Sequence, residues 1–344
     1  MNASEKPTPG SDDWLALVTE EIIDPDRRII DPHHHLWRSR MRGDYLVDNL
    51  WGDTGSGHNV VKTVFVECHA EYREGGEEHL KPLGETEFVA AQAKLSAAGH
   101  DDGAGKAEIA AIVGHADMTL GNDARQVLEA HIEIGDGKFR GIRHAGAREP
   151  HPEALMIAGR APEGLYVDEE FRKGLGVLAD MGLTYDTWHY HHQNQDFAEL
   201  ARACPDTQMI LDHFGTPLGV GPYENQREEI FEQWKIDIAE IAKCENVVAK
   251  IGGLAMPDNG FGWHANETPP TSDEFARAQR RYYLHTIECF GPNRCMMESN
   301  FPVDRFSLSY HVLYNGLKKI VAEFSEDEKD AMFYGTAQRI YSIT

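Results

Sequence analysis

Residues 28–37 read RIIDPHHHLW. A short β-rich run, RIID, passes through one proline into three consecutive histidines. Side chains alternate along an extended chain, so His33 and His35 point to one side and His34 to the other. Two imidazoles on one side can chelate a divalent ion through neutral nitrogens. An isolated His-x-His is as readily a pair of packed, hydrogen-bonded histidines. Its position directly behind a strand gives the metal reading weight, and the rest of the chain shows whether other runs end in the same way.

Seven further runs do: KTVFVE (62–67), EIAAIV (108–113), KFRGIR (138–143), LTYDTW (183–188), TQMILD (207–212), NVVAKI (246–251) and RCMME (294–298). At or just beyond their ends stand Glu67 and His69, His115 and Asp117, Arg143 and His144, His189 and His191, Asp212 and His213, Lys250, and Glu298 with Asn300. Helical stretches separate the runs. GETEFVAAQAKLSAAG (84–99) has good helix formers and a closing glycine, and residues 224–245 carry Ile230, Trp234, Ile238 and Ile241 at helical spacing. Strand and helix alternating eight times predict an α/β fold, a closed (β/α)8 TIM barrel, in which the strand-end residues converge on one rim. An open doubly wound sheet is the alternative. No glycine-rich dinucleotide or phosphate loop follows any of the runs.

The predicted organisation is one barrel domain over 28–344 behind an N-terminal arm, 1–27. Met1 to Asp13 is polar and reads as mobile, with a short helix or turn over Trp14 to Ile23. Two Pro/Gly-bearing segments, 144–168 and 253–270, each follow a strand. They are expected as loop insertions on the C-terminal face, acting as lids or pocket walls.

The 344-residue chain carries 33 Lys and Arg against 57 Asp and Glu, a formal net charge of −24. That balance argues against nucleic acid and against an anionic membrane surface as partners. The five cysteines are odd in number and lack any CxxC pair, which argues against a disulfide framework or zinc ribbon. The N-terminus has no basic segment followed by an apolar run, and no stretch of about 18 apolar residues occurs. A cytoplasmic location is expected.

Particular side chains then carry the chemistry. Arg143 has the planar fork that suits a carboxylate. His213 closes a strongly apolar run and is read as ligand, acid/base or oxyanion stabiliser. His189 and His191 share one face with Tyr190 opposite, and either histidine could supply a third metal ligand. Glu298 and Asn300 share a face on the eighth run, with Asp304 beyond the proline; Glu298 is the carboxylate best placed to reach the interior. His69, His144 and Tyr190 are expected to contact substrate.

At DPHHHLW, FRGIRH, LDHFGTP and ESNFPVD the chain resembles the amidohydrolase-related metal-dependent hydrolases of the amidohydrolase superfamily. The branch is the one containing sugar-acid lactonases and 2-pyrone-4,6-dicarboxylate lactonase, and the match runs from about Ile29 to the C-terminus. The resemblance implies a (β/α)8 barrel that hydrolyses an ester-like or lactone bond. His33 and His35 match the first-strand metal pair, Arg143 a carboxylate-binding position, His213 the sixth-strand histidine and His191 the fifth-strand residue, with His189 as its alternative. Zinc, or manganese, is the implied cofactor. Asn300 stands where the family usually has a metal-ligating, proton-accepting aspartate. An amide cannot act as a base, so either Glu298 or Asp304 takes over that role or the reaction needs no strong base there, and a metal-free route through histidines and arginine stays open.

The expected reaction is hydrolysis of a small carboxylated lactone, with Arg143 on the carboxylate, His33 and His35 polarising the carbonyl and Glu298 activating water. Non-oxidative decarboxylation of an aromatic acid is the rival within the superfamily. A barrel that only binds an acidic metabolite is the rival outside enzymology. A homodimer is left open by analogy with related barrels.

Overall fold

The computed structural model describes residues 6–40, 43–101 and 106–344. Eight strands form one sheet in sequential order: β1 (Arg28–His34), β2 (Asn59–Val66), β3 (Glu108–Gly114), β4 (Phe139–Arg143), β5 (Thr184–Thr187), β6 (Met209–Leu211), β7 (Val247–Ile251) and β8 (Cys295–Met297). Every neighbouring pair is parallel. The barrel closes just past the last strand, through a parallel bridge between His34 and Phe301 and the bonds Asn300 N–H to His33 O (3.0 Å) and His35 N–H to Phe301 O (2.8 Å). All eight expected strands are present, and the fold is the (β/α)8 barrel rather than the open sheet.

Alternation along each strand sorts the core into two layers. Ile30, Val64, Val66, Ala111, Val113, Ile210, Val248 and Met296 pack together with Tyr341 and Ile343. Their odd-numbered or even-numbered neighbours, among them Ile29, Phe65, Ile112, Leu211, Ala249 and Met297, join the helices in a second layer. Helix Arg227–Ala242 buries Ile230, Trp234, Ile238 and Ile241, as their spacing predicts. Helix Leu83–Asp101 runs past the glycine expected to close it. A Cβ at Gly99 would lie 2.5 Å from the Trp51 ring, so that glycine serves close packing rather than termination.

The expected helix over Trp14–Ile23 lies instead at Asp12–Leu15, where Ser11 accepts from Trp14 N–H. Trp14 is fully buried, and its indole N–H reaches the carbonyls of Asn266 and Glu267. The stretch read as mobile is therefore anchored at its end, while Met1–Glu5 lies outside the described residues. No helix among the described residues is long and apolar enough to cross a membrane.

Candidate active site

β1 places its histidines as alternation demands. The His33 and His35 rings lie 4.9 Å apart between centroids, whereas His34 turns away to Thr63 Oγ1 (3.0 Å) and the Phe65 ring. His35 Nδ1–H donates to Val66 O at 2.8 Å, which fixes the tautomer and leaves the lone pair on Nε2. His33 Nδ1 lies 3.0 Å from Glu298 Oε2, and His213 Nδ1–H donates to Glu298 Oε1 at 2.7 Å. One buried carboxylate from the end of β8 thus joins the histidines that follow β6 and end β1. His33, His213 and Glu298 each offer one donor atom, all within 4.8 Å of one another.

The backbone around this trio is strained in a way that aims its side chains. His213, Phe214 and Thr216 have φ of 52°, 57° and 40°, and Asn300 has 57°. Non-glycine residues rarely adopt such angles, and they persist where surrounding structure enforces them. Two glycines after β7 make the room. A Cβ at Gly253 would lie 2.1 Å from His213 Nδ1, and one at Gly252 would lie 2.5 Å from Glu298 Cγ.

Charged groups line up behind the trio. Arg143 Nε donates to Glu67 Oε1 (2.8 Å), one terminal nitrogen donates to Glu67 O, and the other lies 3.4 Å from both Asp212 Oδ2 and His33 Nε2. Lys250 Nζ donates to Asp186 Oδ2 (2.6 Å) and lies 3.3 Å from Asp212 Oδ1, and Tyr341 O–H donates to Asp186 Oδ2 at 2.7 Å. Burial and the Lys250 and Arg143 charges hold His33 well below the ordinary imidazole range. Burial pushes His213 down to about 3. Both are neutral imidazoles at physiological pH. Burial pushes Glu298 up to about 8 and Asp212 up to about 6 against the pull of Lys250. Burial would also raise Glu67, but Arg143 overrides it and holds that carboxyl at about 2.

These residues fit a divalent cation. Two neutral nitrogens and a carboxylate oxygen are the donor types zinc and manganese accept, and Glu298 Oε2 is buried with no hydrogen bond. Among the described residues, Glu67, Asp186, Asp212 and Glu298 face only Arg143 and Lys250 as fixed cations, a surplus of two negative charges when all four are ionised. A dication, or protons on the acids, would balance it.

Beside the trio opens a cavity of about 430 Å³. His35, His213, Arg143, Glu67, His69 and Asn300 supply its polar wall, and Trp37, Trp188, Met156, Ile157, Met256 and Val303 its apolar wall. Met156, Ile157 and Met256 come from the two long loops, which are pocket walls as expected. The loops are tied together by Asp258, whose carboxylate oxygens accept Met156 N–H (2.7 Å) and Ile157 N–H (2.9 Å).

Not every expected residue arrives there. His191 does not join His33 and His35: its Nδ1 faces Leu218 N–H at 3.4 Å and its ring packs on Tyr223. His189 is fully buried against Phe197 and donates from Nε2 to Asn194 Oδ1 (3.0 Å). The chain turns after β5, so neither histidine continues the strand's inward face, and Trp188 takes the place in the cavity wall. His144 accepts Met118 N–H and packs on Phe171, away from the cavity. Tyr190 binds the cavity loop rather than lining the cavity, accepting Gly159 N–H (2.8 Å) and donating to Ile157 O (3.1 Å). Glu298 lies beneath the cavity behind His213. Asn300 lines it, with Nδ2–H donating to Asp304 Oδ1 at 2.9 Å. Asp304, the alternative base, is buried between that amide and Ala255 N–H (3.1 Å) and does not line the cavity.

Sequence reading missed Asp186, Trp188, Trp37 and the Gly252–Gly253 pair. Two signals were present: an aspartate in the middle of a strand, where that residue is depleted, and paired glycines directly behind a strand, which mark close approach of another element.

With the barrel and its buried trio in place, comparison with known proteins gives a consistent picture. The chain is 31% identical over 339 residues to the uncharacterized protein y4mH of Sinorhizobium fredii, covering 92% of this chain and 99% of that one. It is 25% identical over 331 residues to an L-fucono-1,5-lactonase of Burkholderia multivorans, covering 91% and 96%. A crystal structure of a B. multivorans amidohydrolase with bound zinc has the same fold, with a TM-score of 0.71 at 23% identity over 92% of this chain and 99% of that one. The sequence model of the family described as Amidohydrolase matches residues 30–343, and the chain belongs to that family.

Proposed function

We propose that this amidohydrolase-family enzyme hydrolyses a small carboxylated lactone or related cyclic ester. The observation that carries the reading is the His213–Glu298 pair set against a cavity whose polar wall also presents His35, Arg143 and Asn300. The similarity to a lactonase over nearly the whole chain supports it.

The chain's own groups define the proton path. His213 Nδ1–H points at Glu298, so Nε2 is the nitrogen that accepts a proton from the attacking water while Nδ1–H passes to Oε1. Glu298 accepts that proton in its ionised form, which burial opposes and Lys250 favours. Lys250, held by Asp186 and Asp212, fixes the charge behind the pair. Glu67 and Asp212 engage three of the five guanidinium donors of Arg143. With Glu67 neutralising it, Arg143 acts as a rigid N–H donor to substrate oxygen, on the carbonyl or a ring carboxylate. Asn300 offers its amide oxygen, one of its two N–H groups being held by Asp304. Trp37, Trp188, Met156 and Met256 hold the ring and exclude water.

His33, His213 and Glu298 would hold a divalent ion, zinc or manganese, and with the ion bound His213 and Glu298 would serve as its ligands in place of taking the water proton. Bound there it would supply Lewis-acid polarisation of the carbonyl.

The test is pH-stat hydrolysis of a panel of five- and six-membered lactones, each with and without a ring carboxylate. Turnover of lactones, fastest for the carboxylated members, is the expected result. Turnover confined to uncharged lactones removes the carboxylate from the reading, and no turnover of any member overturns it.

A further inference from the structure

On the cavity wall formed by the end of β2 lies a second set of proton-carrying groups that the mechanism above does not use. His69 lines the cavity, with its side chain 62% exposed. Its Nδ1 lies 2.9 Å from Tyr72 O–H and 3.8 Å from Glu67 Oε2. That carboxylate oxygen is buried and has no hydrogen-bond partner, although its twin, Oε1, is fully engaged by Arg143. His69 also has φ of 60°, one of the left-handed residues gathered around the cavity. A buried ionised oxygen left unpaired is costly. An imidazolium beside it, needing to close about 1 Å, is the group that satisfies it.

Resting on the lactonase reading, we propose that His69 is the general acid that protonates the leaving ring oxygen, with Glu67 and Tyr72 as positioning residues. In the first step water adds to the carbonyl carbon and its proton goes to the His213–Glu298 pair. In the second, the ring C–O bond of the tetrahedral intermediate breaks. The electron pair stays on the ring oxygen, which takes the proton from His69 and becomes the hydroxyl of the ring-opened acid. Water supplies the new C–O bond, one proton moves from His69 to substrate and one from water to Glu298, and exchange with solvent resets both. Acid on one wall and base on the other match the need of an alkoxide leaving group, which is too basic to depart unprotonated.

Leaving-group basicity therefore separates this role from simple binding. The experiment compares the purified full chain with its His69→Asn variant on δ-valerolactone, which expels an alkoxide, and on dihydrocoumarin, which expels a phenoxide. Asparagine is chosen because it tolerates the left-handed backbone. The expected result is a loss of about a hundredfold in kcat on δ-valerolactone, the scale of a lost general acid, with a far smaller loss on dihydrocoumarin. Tyr72→Phe should shift the same ratio in the same direction and by less. Equal losses on both substrates, or no loss on either, overturn the assignment. If the parent enzyme opens only carboxylated lactones, the ring-carboxylated counterparts of the two substrates give the same comparison with the same outcomes; if it opens no lactone with or without a carboxylate while His69→Asn melts as the parent does, the lactonase reading itself has failed and the acid falls with it.

Discussion

His213 and Glu298 are 85 residues apart in sequence and meet as a buried hydrogen bond of 2.7 Å between Nδ1 and Oε1. β6 ends just before the histidine and β8 just before the carboxylate, so the contact exists only because the barrel sets the two strand ends against β7 and its glycines. It orients an imidazole and, in the proposed reaction, takes up a proton in the same contact. Glu298→Gln keeps the shape and removes the proton-accepting oxygen. It should lower kcat at least about a hundredfold with little change in melting temperature. The double variant with His213→Asn should lose scarcely more than either single one, since the pair acts as a unit; steady-state kinetics on the best lactone of the panel checks both.

Gly253 is required by two facts together: its φ is 70°, and a Cβ there would lie 2.1 Å from His213 Nδ1. Gly253→Ala should cost about 1–3 kcal/mol of stability, read by urea denaturation, and should abolish most activity by displacing the imidazole. Gly291, also at positive φ but with nothing within 4 Å of its Cβ position, is the control. Gly291→Ala should cost stability alone.

Metal content follows from the donor set. Protein purified without chelator or nickel resin should contain about one equivalent of zinc or manganese by elemental analysis. His33→Ala should lose it, whereas His191→Ala should keep it, because His191 faces Leu218 and Tyr223 instead of the trio.

Acid should destabilise the fold through histidines distant from the chemistry. His131 is buried between Thr86 Oγ1 and His115 O, and burial lowers it to about 4; burial likewise lowers His189 to about 4. Their folded values lie below the unfolded one, so the unfolded chain binds more protons between pH 6.5 and 4, and stability falls as pH drops through that window. The loss is on the order of 3 kcal/mol for each histidine. Melting temperature against pH should decline across this interval, and His189→Gln should flatten the decline.

Asp258 clamps the cavity loop through the N–H groups of Met156 and Ile157. Asp258→Ala should free that wall and raise KM several-fold while kcat changes little, since no proton-moving group is touched.

How much was legible in the chain itself follows from the same residues. All eight strands could be read because each is a short run of β-branched and apolar residues bounded by turn formers, and that signal is local. Alternation also told His33 and His35 from His34. It failed at His189 and His191 because the chain leaves the extended conformation after Thr187, and period-2 reasoning has no meaning on a turn. His144 and Tyr190 were misplaced for a related reason: a polar residue after a strand can face the cavity or the surrounding loops, and only the path of those loops decides.

The sequence alone thus determined the barrel and the end of it at which the titratable residues gather, since these depend on residue type and local periodicity. Tertiary structure decided that Glu298 lies behind His213 rather than in the cavity, that Arg143 is already paired with Glu67, and that His69 faces an unsatisfied carboxylate oxygen. Each of these is a contact between strand ends far apart in the chain. Their chemistry depends on distances of about 3 Å, a length that no spacing along the sequence encodes.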